Sequence, residues 1–177
     1  MKRIKLWATC AVCLPAAMAI ADQATYQVGD FFRANEGSLD LFGSASLGQY
    51  TLEHLSGDRI KDNGRLGWGL GGNYFFTKNI GIGGEAYSEN TGHSFFDSAS
   101  GNVIIRFPFE GAHVAPYIFG GGGYQFDPAG ISFGQAGAGV DIRFTPHVGM
   151  FVDGRYEFLS KNAPDIGLFR LGVRFAF

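Results

Sequence analysis

The chain has 177 residues, 28 of them Gly and 18 Phe, with 14 Lys and Arg against 16 Asp and Glu. The length suits one domain. Setting aside Lys2, Arg3 and Lys5 takes the formal charge from −2 to about −5, which excludes the basic patches on which nucleic-acid binding rests, so no nucleic-acid partner is expected.

In chain order, those three cations come first, residues 6–18 form an apolar run, and Ala19-Ile20-Ala21 is a small-x-small site. This layout predicts a signal peptide over residues 1–21, cleaved after Ala21. The run is shorter than the ~20 residues a spanning helix needs, and Pro15 interrupts it, which argues against an uncleaved anchor. Cys10 and Cys13, the only two cysteines, lie inside this segment. The exported chain therefore carries no disulfide and no thiolate chemistry. Residues 22–37 read as a short periplasmic leader that packs under the domain formed by residues 38–177. No later stretch approaches 18 consecutive apolar residues, and helical periodicity is hard to find in so glycine-rich a chain. The expectation is nearly all β.

Eight segments read as strands of period two: residues 38–47, 65–76, 80–88, 99–109, 114–124, 133–144, 148–158 and 166–177. In the first, Leu39, Leu41, Ala45 and Leu47 oppose Asp40, Ser44 and Ser46. In the second, Leu66, Trp68, Leu70, Tyr74 and Phe76 alternate with Arg65, three glycines and Asn73. In the last, Phe169, Leu171, Val173, Phe175 and Phe177 oppose Arg170, Gly172 and Arg174. The connections alternate in length. Thr77-Lys78-Asn79, Gly111-Ala112-His113 and Thr145-Pro146-His147 are tight, whereas residues 49–64, 89–98, 125–132 and 159–165 are long. Transmembrane barrels show this asymmetry, with short periplasmic turns and long extracellular loops. The predicted fold is an all-β, eight-stranded antiparallel up-and-down transmembrane β-barrel.

The polar face carries Asp40, Arg65, Glu85, Arg106, Asp141, Arg143, Asp153, Arg155, Glu157, Arg170 and Arg174. Each Arg turned toward the lipid midplane would cost about 2–4 kcal/mol. The charged face should therefore line the interior, where the charges can pair. A soluble lipocalin-like barrel or a sandwich also alternates, but with its apolar face inward. Two bands of aromatics argue against it. Tyr74, Phe75, Phe76, Phe107, Phe109, Phe144, Phe175 and Phe177 lie toward the short turns and the C-terminus. Tyr50, Tyr87, Tyr124, Phe126, Tyr156 and Phe158 lie toward the long loops. Inward Gly67, Gly69, Gly71, Gly137 and Gly139 are expected to leave room for water, which keeps a narrow path for small ions open as an alternative.

The hairpin GWGLGGNYFFTKNIGIGGEAYSE, the strand APYIFGGGGYQF, the stretch GAGVDIRFTPHVGMFVDGRYEF and the terminal Phe177 resemble the small outer-membrane barrels of Gram-negative bacteria, the OmpA-like and OmpX-like eight-stranded domains. The resemblance implies a monomer in the outer membrane, both termini in the periplasm, in contact with outer-membrane lipid and lipopolysaccharide. It implies a structural, envelope-integrity or surface-interaction role. The C-terminal strand ending in Phe177 resembles the signal read by the barrel assembly machinery. The peptidoglycan-binding domain that OmpA adds after its barrel is not carried over.

Some small outer-membrane barrels modify lipid A with His, Ser and an acid near the extracellular rim. His54, His93-Ser94 and Asp97-Ser98 are the residues here that bear on that alternative, since a nucleophilic Ser needs a base within hydrogen-bond reach. They read more simply as solvated loop residues, and His113 and His147 as turn residues. No catalytic, cofactor-binding or metal site is expected. The run Gly120–Gly123 lacks the Lys and Ser/Thr of a phosphate-binding loop. It reads as a strand with small side chains.

Overall fold

The computed structural model describes residues 30–47, 51–53, 59–61, 66–88, 95–127, 130–160 and 165–177. The predicted signal peptide, Tyr50 and Arg65 lie outside them, as does the leader up to residue 29. The strands are β1 (Glu36–Leu47), β2 (Thr51–Glu53), β3 (Arg59–Lys61), β4 (Leu66–Phe75), β5 (Ile80–Ser88), β6 (Ser98–Arg106), β7 (Val114–Gln125), β8 (Ile131–Arg143), β9 (Val148–Leu159) and β10 (Ile166–Ala176). Eight of them close into one antiparallel barrel in the order β1-β10-β9-β8-β7-β6-β5-β4. These are the eight predicted strands, with ends shifted by a few residues. The added pair β2–β3 is a separate two-stranded sheet within the first long connection, which the sequence reading treated as loop.

Local chemistry explains where the strands stop. Thr77 Oγ1 accepts the N–H groups of Asn79 and Ile80, at 3.2 and 3.0 Å. Thr145 Oγ1 does the same for His147 and Val148. One hydroxyl thus satisfies two backbone donors at each reversal. The fourth predicted segment was expected to reach Phe109, but the strand it forms, β6, ends at Arg106, because Pro108 has no N–H to give the ladder. A 3-10 turn at Glu110–Ala112 follows, and His113 closes it in the left-handed region, φ 56°.

The seam is completed at the chain's last residue. Gly37 and Phe177 exchange both backbone bonds, at 3.0 and 2.9 Å, beyond the register in which Ser38 faces Ala176. No barrel edge remains unpaired. Both described ends, Asp30 and Phe177, lie at the short-turn end.

The pleat sorts the side chains as the alternation predicts. Leu39, Leu41, Leu70, Ile82, Val103, Ile118, Phe169, Leu171 and Val173 are exposed on the outer wall. Asp40, Arg106, Asp141, Arg143, Asp153, Arg155, Glu157, Arg170 and Arg174 are buried inside, with Glu85 part-buried beside them. This is the reverse of a soluble barrel, and the apolar surface it leaves uncovered is of the kind that marks a membrane or partner surface. Two belt aromatics are misassigned by the sequence reading. Phe75 and Tyr87 point inward and are fully buried, because each shares the parity of its strand's polar face.

Candidate functional site: the packed interior and the long-loop rim

The interior charges form two linked clusters. Toward the short turns, Arg106 Nη1 and Arg143 Nη2 both donate to Glu36 Oε1, at 2.7 and 2.8 Å. Arg143 Nε reaches Asp141 at 2.9 Å. Arg174 spans Asp141 through Nη1, at 2.7 Å, and Asp40 through Nε and Nη2, at 2.8 and 2.7 Å. Toward the long loops, Arg170 donates twice to Asp153, at 2.7 Å each, and also to Glu85. Arg155 donates to Glu85 and Gln135. The Tyr117 hydroxyl donates to Asp153 at 2.6 Å, while its ring lies 5.8 Å from the Arg174 guanidinium, tying the clusters together. Glu157 accepts from Tyr87 at 2.9 Å, with Arg155 3.7 Å away.

The pairing of acids and bases inside follows the sequence reading, with one addition. Glu36, assigned there to the leader, is a barrel residue and the anchor of two arginines. Phe32 from the same stretch is fully buried, with the Arg106 and Arg143 guanidinium groups each 5.2 Å from its ring centre. Phe31 stacks on His113 at 3.7 Å, and Lys78 bonds Asp30 at 2.9 Å. The Asp30 hydrogen bond holds the Lys78 ammonium above its ordinary value. Residues 30–36 thereby close the short-turn mouth.

The inward glycines divide. Gly71 lines a small cavity, as expected of room for water, and Gly67 lies against the Ser88 carbonyl, but Gly69 and Gly137 are sockets for rings. A Cβ at Gly69 would fall within 2.6 Å of Phe42 and Tyr87, and one at Gly172 within 2.6 Å of Phe151. Phe42, Tyr87, Phe133, Phe151 and Leu168 form one buried cluster, and Phe75, Ile104, Tyr117 and Phe119 another. Arginine planes lie over these rings: Arg106 is 3.6 Å from the centre of Phe75, and Arg170 and Arg174 each 4.9 Å from Phe42 and Phe151 respectively. Near Asp40, Gly71, Asn73, Glu85 and Arg170 there is a cavity of about 20 Å³, on the scale of single water molecules.

At the long-loop rim, Asp97 and Ser98 are buried, and Ser88 Oγ lies 3.4 Å from Asp97 Oδ2. His54, His93 and Ser94 lie outside the described residues. His113 stacks on Phe31, and His147 Nδ1 lies 3.0 Å from the Ala176 carbonyl oxygen, so both belong to the short-turn end.

A closed eight-stranded barrel with an apolar wall and a salt-bridged interior is the fold of small outer-membrane β-barrel proteins. Among solved structures it is similar to the N-terminal β-barrel domain of Pseudomonas aeruginosa OprF, at 18% identity over 82% of this chain and 99% of that one, TM-score 0.60. It is similar to Neisserial surface protein A, at 14% identity over 80% and 96%, TM-score 0.55. The attachment invasion locus protein Ail of Yersinia pestis is a third, at 18% identity over 81% and 99%, TM-score 0.54. No family model and no curated protein matches the chain. At these identities the likeness is one of fold.

Proposed function

We propose that the chain is a monomeric outer-membrane barrel whose body is a closed structural plug, and that its role is structural or surface-interacting, exercised through the long loops. In this reading the short-turn end and both termini face the periplasm, lipopolysaccharide and phospholipid surround the wall, and residues 1–21 are removed on export. The terminal strand is what the assembly machinery engages. The observation that carries the reading is the filled interior. Ion pairs and aromatic rings occupy the barrel from Phe32 at one mouth to Glu157 near the other, and the cavity beside Asp40 and Arg170 measures about 20 Å³. Eight strands enclose a lumen that side chains can fill. A conducting path would require several arginine–carboxylate pairs to separate together.

Planar-bilayer recording tests the plug: the expected trace has no conductance steps, and regular steps would replace this reading with that of a narrow pore. The surface role is tested by comparing lipid A from cells with and without the gene. An unchanged profile is expected. A lost or gained acyl chain would instead make the protein a lipid A-modifying enzyme.

A further inference from the structure

Several outward aromatics on this barrel pair locally, two residues apart in the chain, in or just past a strand end. Tyr124 and Phe126 lie 5.6 Å apart, Tyr156 and Phe158 5.0 Å, and Tyr74 and Phe76 5.2 Å between ring centres. At β4 the arrangement differs. Trp68 points outward between Leu66 and Leu70, at the long-loop end of the ladder where it faces Ser88. Its partners come from another part of the chain. Phe95 meets it edge-on at 4.5 Å, Phe96 lies at 5.2 Å, and the two Phe rings are 4.8 Å apart. The chain entering β6 therefore folds against the outer wall. It is fixed there by the Asp97 N–H bond to the Tyr87 carbonyl oxygen, 3.1 Å, and the Phe126 N–H bond to the Asp97 carbonyl oxygen, 2.6 Å.

Packing on Trp68 leaves much of this cluster uncovered. Phe95 is 71% exposed and Leu66 72%, and the patch runs on into Leu70 and, in register beside it on β1, Leu41. Facing water, Phe95 and Leu66 would forfeit most of their burial free energy. Indole and phenyl rings placed where an apolar band ends are favoured at the boundary between acyl chains and headgroups.

We propose that Trp68, Phe95 and Phe96 form an interfacial anchor seated in the bilayer leaflet on the long-loop side, binding the chain that enters β6 to the membrane surface. The proposal rests on the membrane reading above. The occupant is lipid because the cluster continues the apolar wall without a break.

The test is depth-dependent fluorescence quenching in phosphatidylcholine vesicles whose acyl chains are dibrominated either near the headgroup or near the chain end. The sequence has two tryptophans, so Trp7→Phe leaves Trp68 as the single emitter. A second protein carries Trp7→Phe, Trp68→Phe and Phe95→Trp. A third carries Trp7→Phe, Trp68→Phe and Leu171→Trp, placing the reporter on the middle of the wall. Both rim reporters are expected to lose more emission to bromine near the headgroup than near the chain end, and the Leu171 position the reverse. If the Leu171 position is not quenched by either lipid, the membrane reading itself fails. If that position is quenched while the rim reporters are quenched by aqueous iodide and not by lipid, the anchor alone is overturned. Rim reporters shielded from both quenchers would also overturn it, since protein rather than lipid would then cover the face.

Discussion

Arg174 shows how much depends on single side chains inside this barrel. It is paired with Asp40 and Asp141 and is nearly fully buried. A buried pair adds little net stability over an apolar replacement of both partners, but removing one partner strands the other. Arg174→Met is expected to cost about 3–5 kcal/mol in urea unfolding from vesicles, and the double change that also makes Asp40 leucine, leaving Asp141 paired with Arg143, to cost less. Gly137 presents the steric counterpart: a Cβ there would lie 2.6 Å from the Gly154 carbonyl oxygen and closer still to the Phe119 ring. Gly137→Val is expected to cost at least about 1–3 kcal/mol by overpacking in the same assay. The charges were legible because alternation assigns them to one face. Period two says nothing of which ring fills which gap, so glycines that make way for Phe119 or Phe42 looked like empty space.

The strands were legible to within a few residues at their ends, because tight turns with Thr77 and Thr145 punctuate clean alternation. What escaped was the element before them. Residues 30–36 carry no periodicity, and only the tertiary structure reveals Phe32 between two guanidinium groups. Phe32→Ala is expected to destabilise the barrel by about 3–5 kcal/mol, read as a lower urea midpoint. Phe177 is the corresponding element at the other end. Its backbone makes two bonds to Gly37, and its ring covers that glycine. The resemblance of the last strand to an assembly signal implies that removing Phe177 impairs assembly. The geometry adds a folded-state cost of about 1–3 kcal/mol for the two lost bonds, so the deletion should lower the urea midpoint of folded barrels as well as their outer-membrane level.

The whole barrel is held by interstrand hydrogen bonds that no edge exposes, so it should resist denaturing detergent until heated. Unheated and boiled samples are expected to run at different positions on a denaturing gel, and identical migration would count against a closed barrel. Closure was legible from the chain because the first and last segments both read as strands with an apolar face and nothing else to pair with. The proposed surface role was not, because the long connections that would exercise it carry no periodic constraint in their sequence.

The seam has a consequence for the order of events in folding. Ser38 finds its partner in Ala176, so the first strand of the barrel waits for the last before it is satisfied. Until then a growing sheet carries two open edges, each a template for pairing with another chain. Contacts so distant in sequence also form slowly, since loop closure comes before any reward. The same bonds that make the finished barrel hard to open thus leave its precursor exposed for longest, and a chain built this way needs shelter until the seam closes.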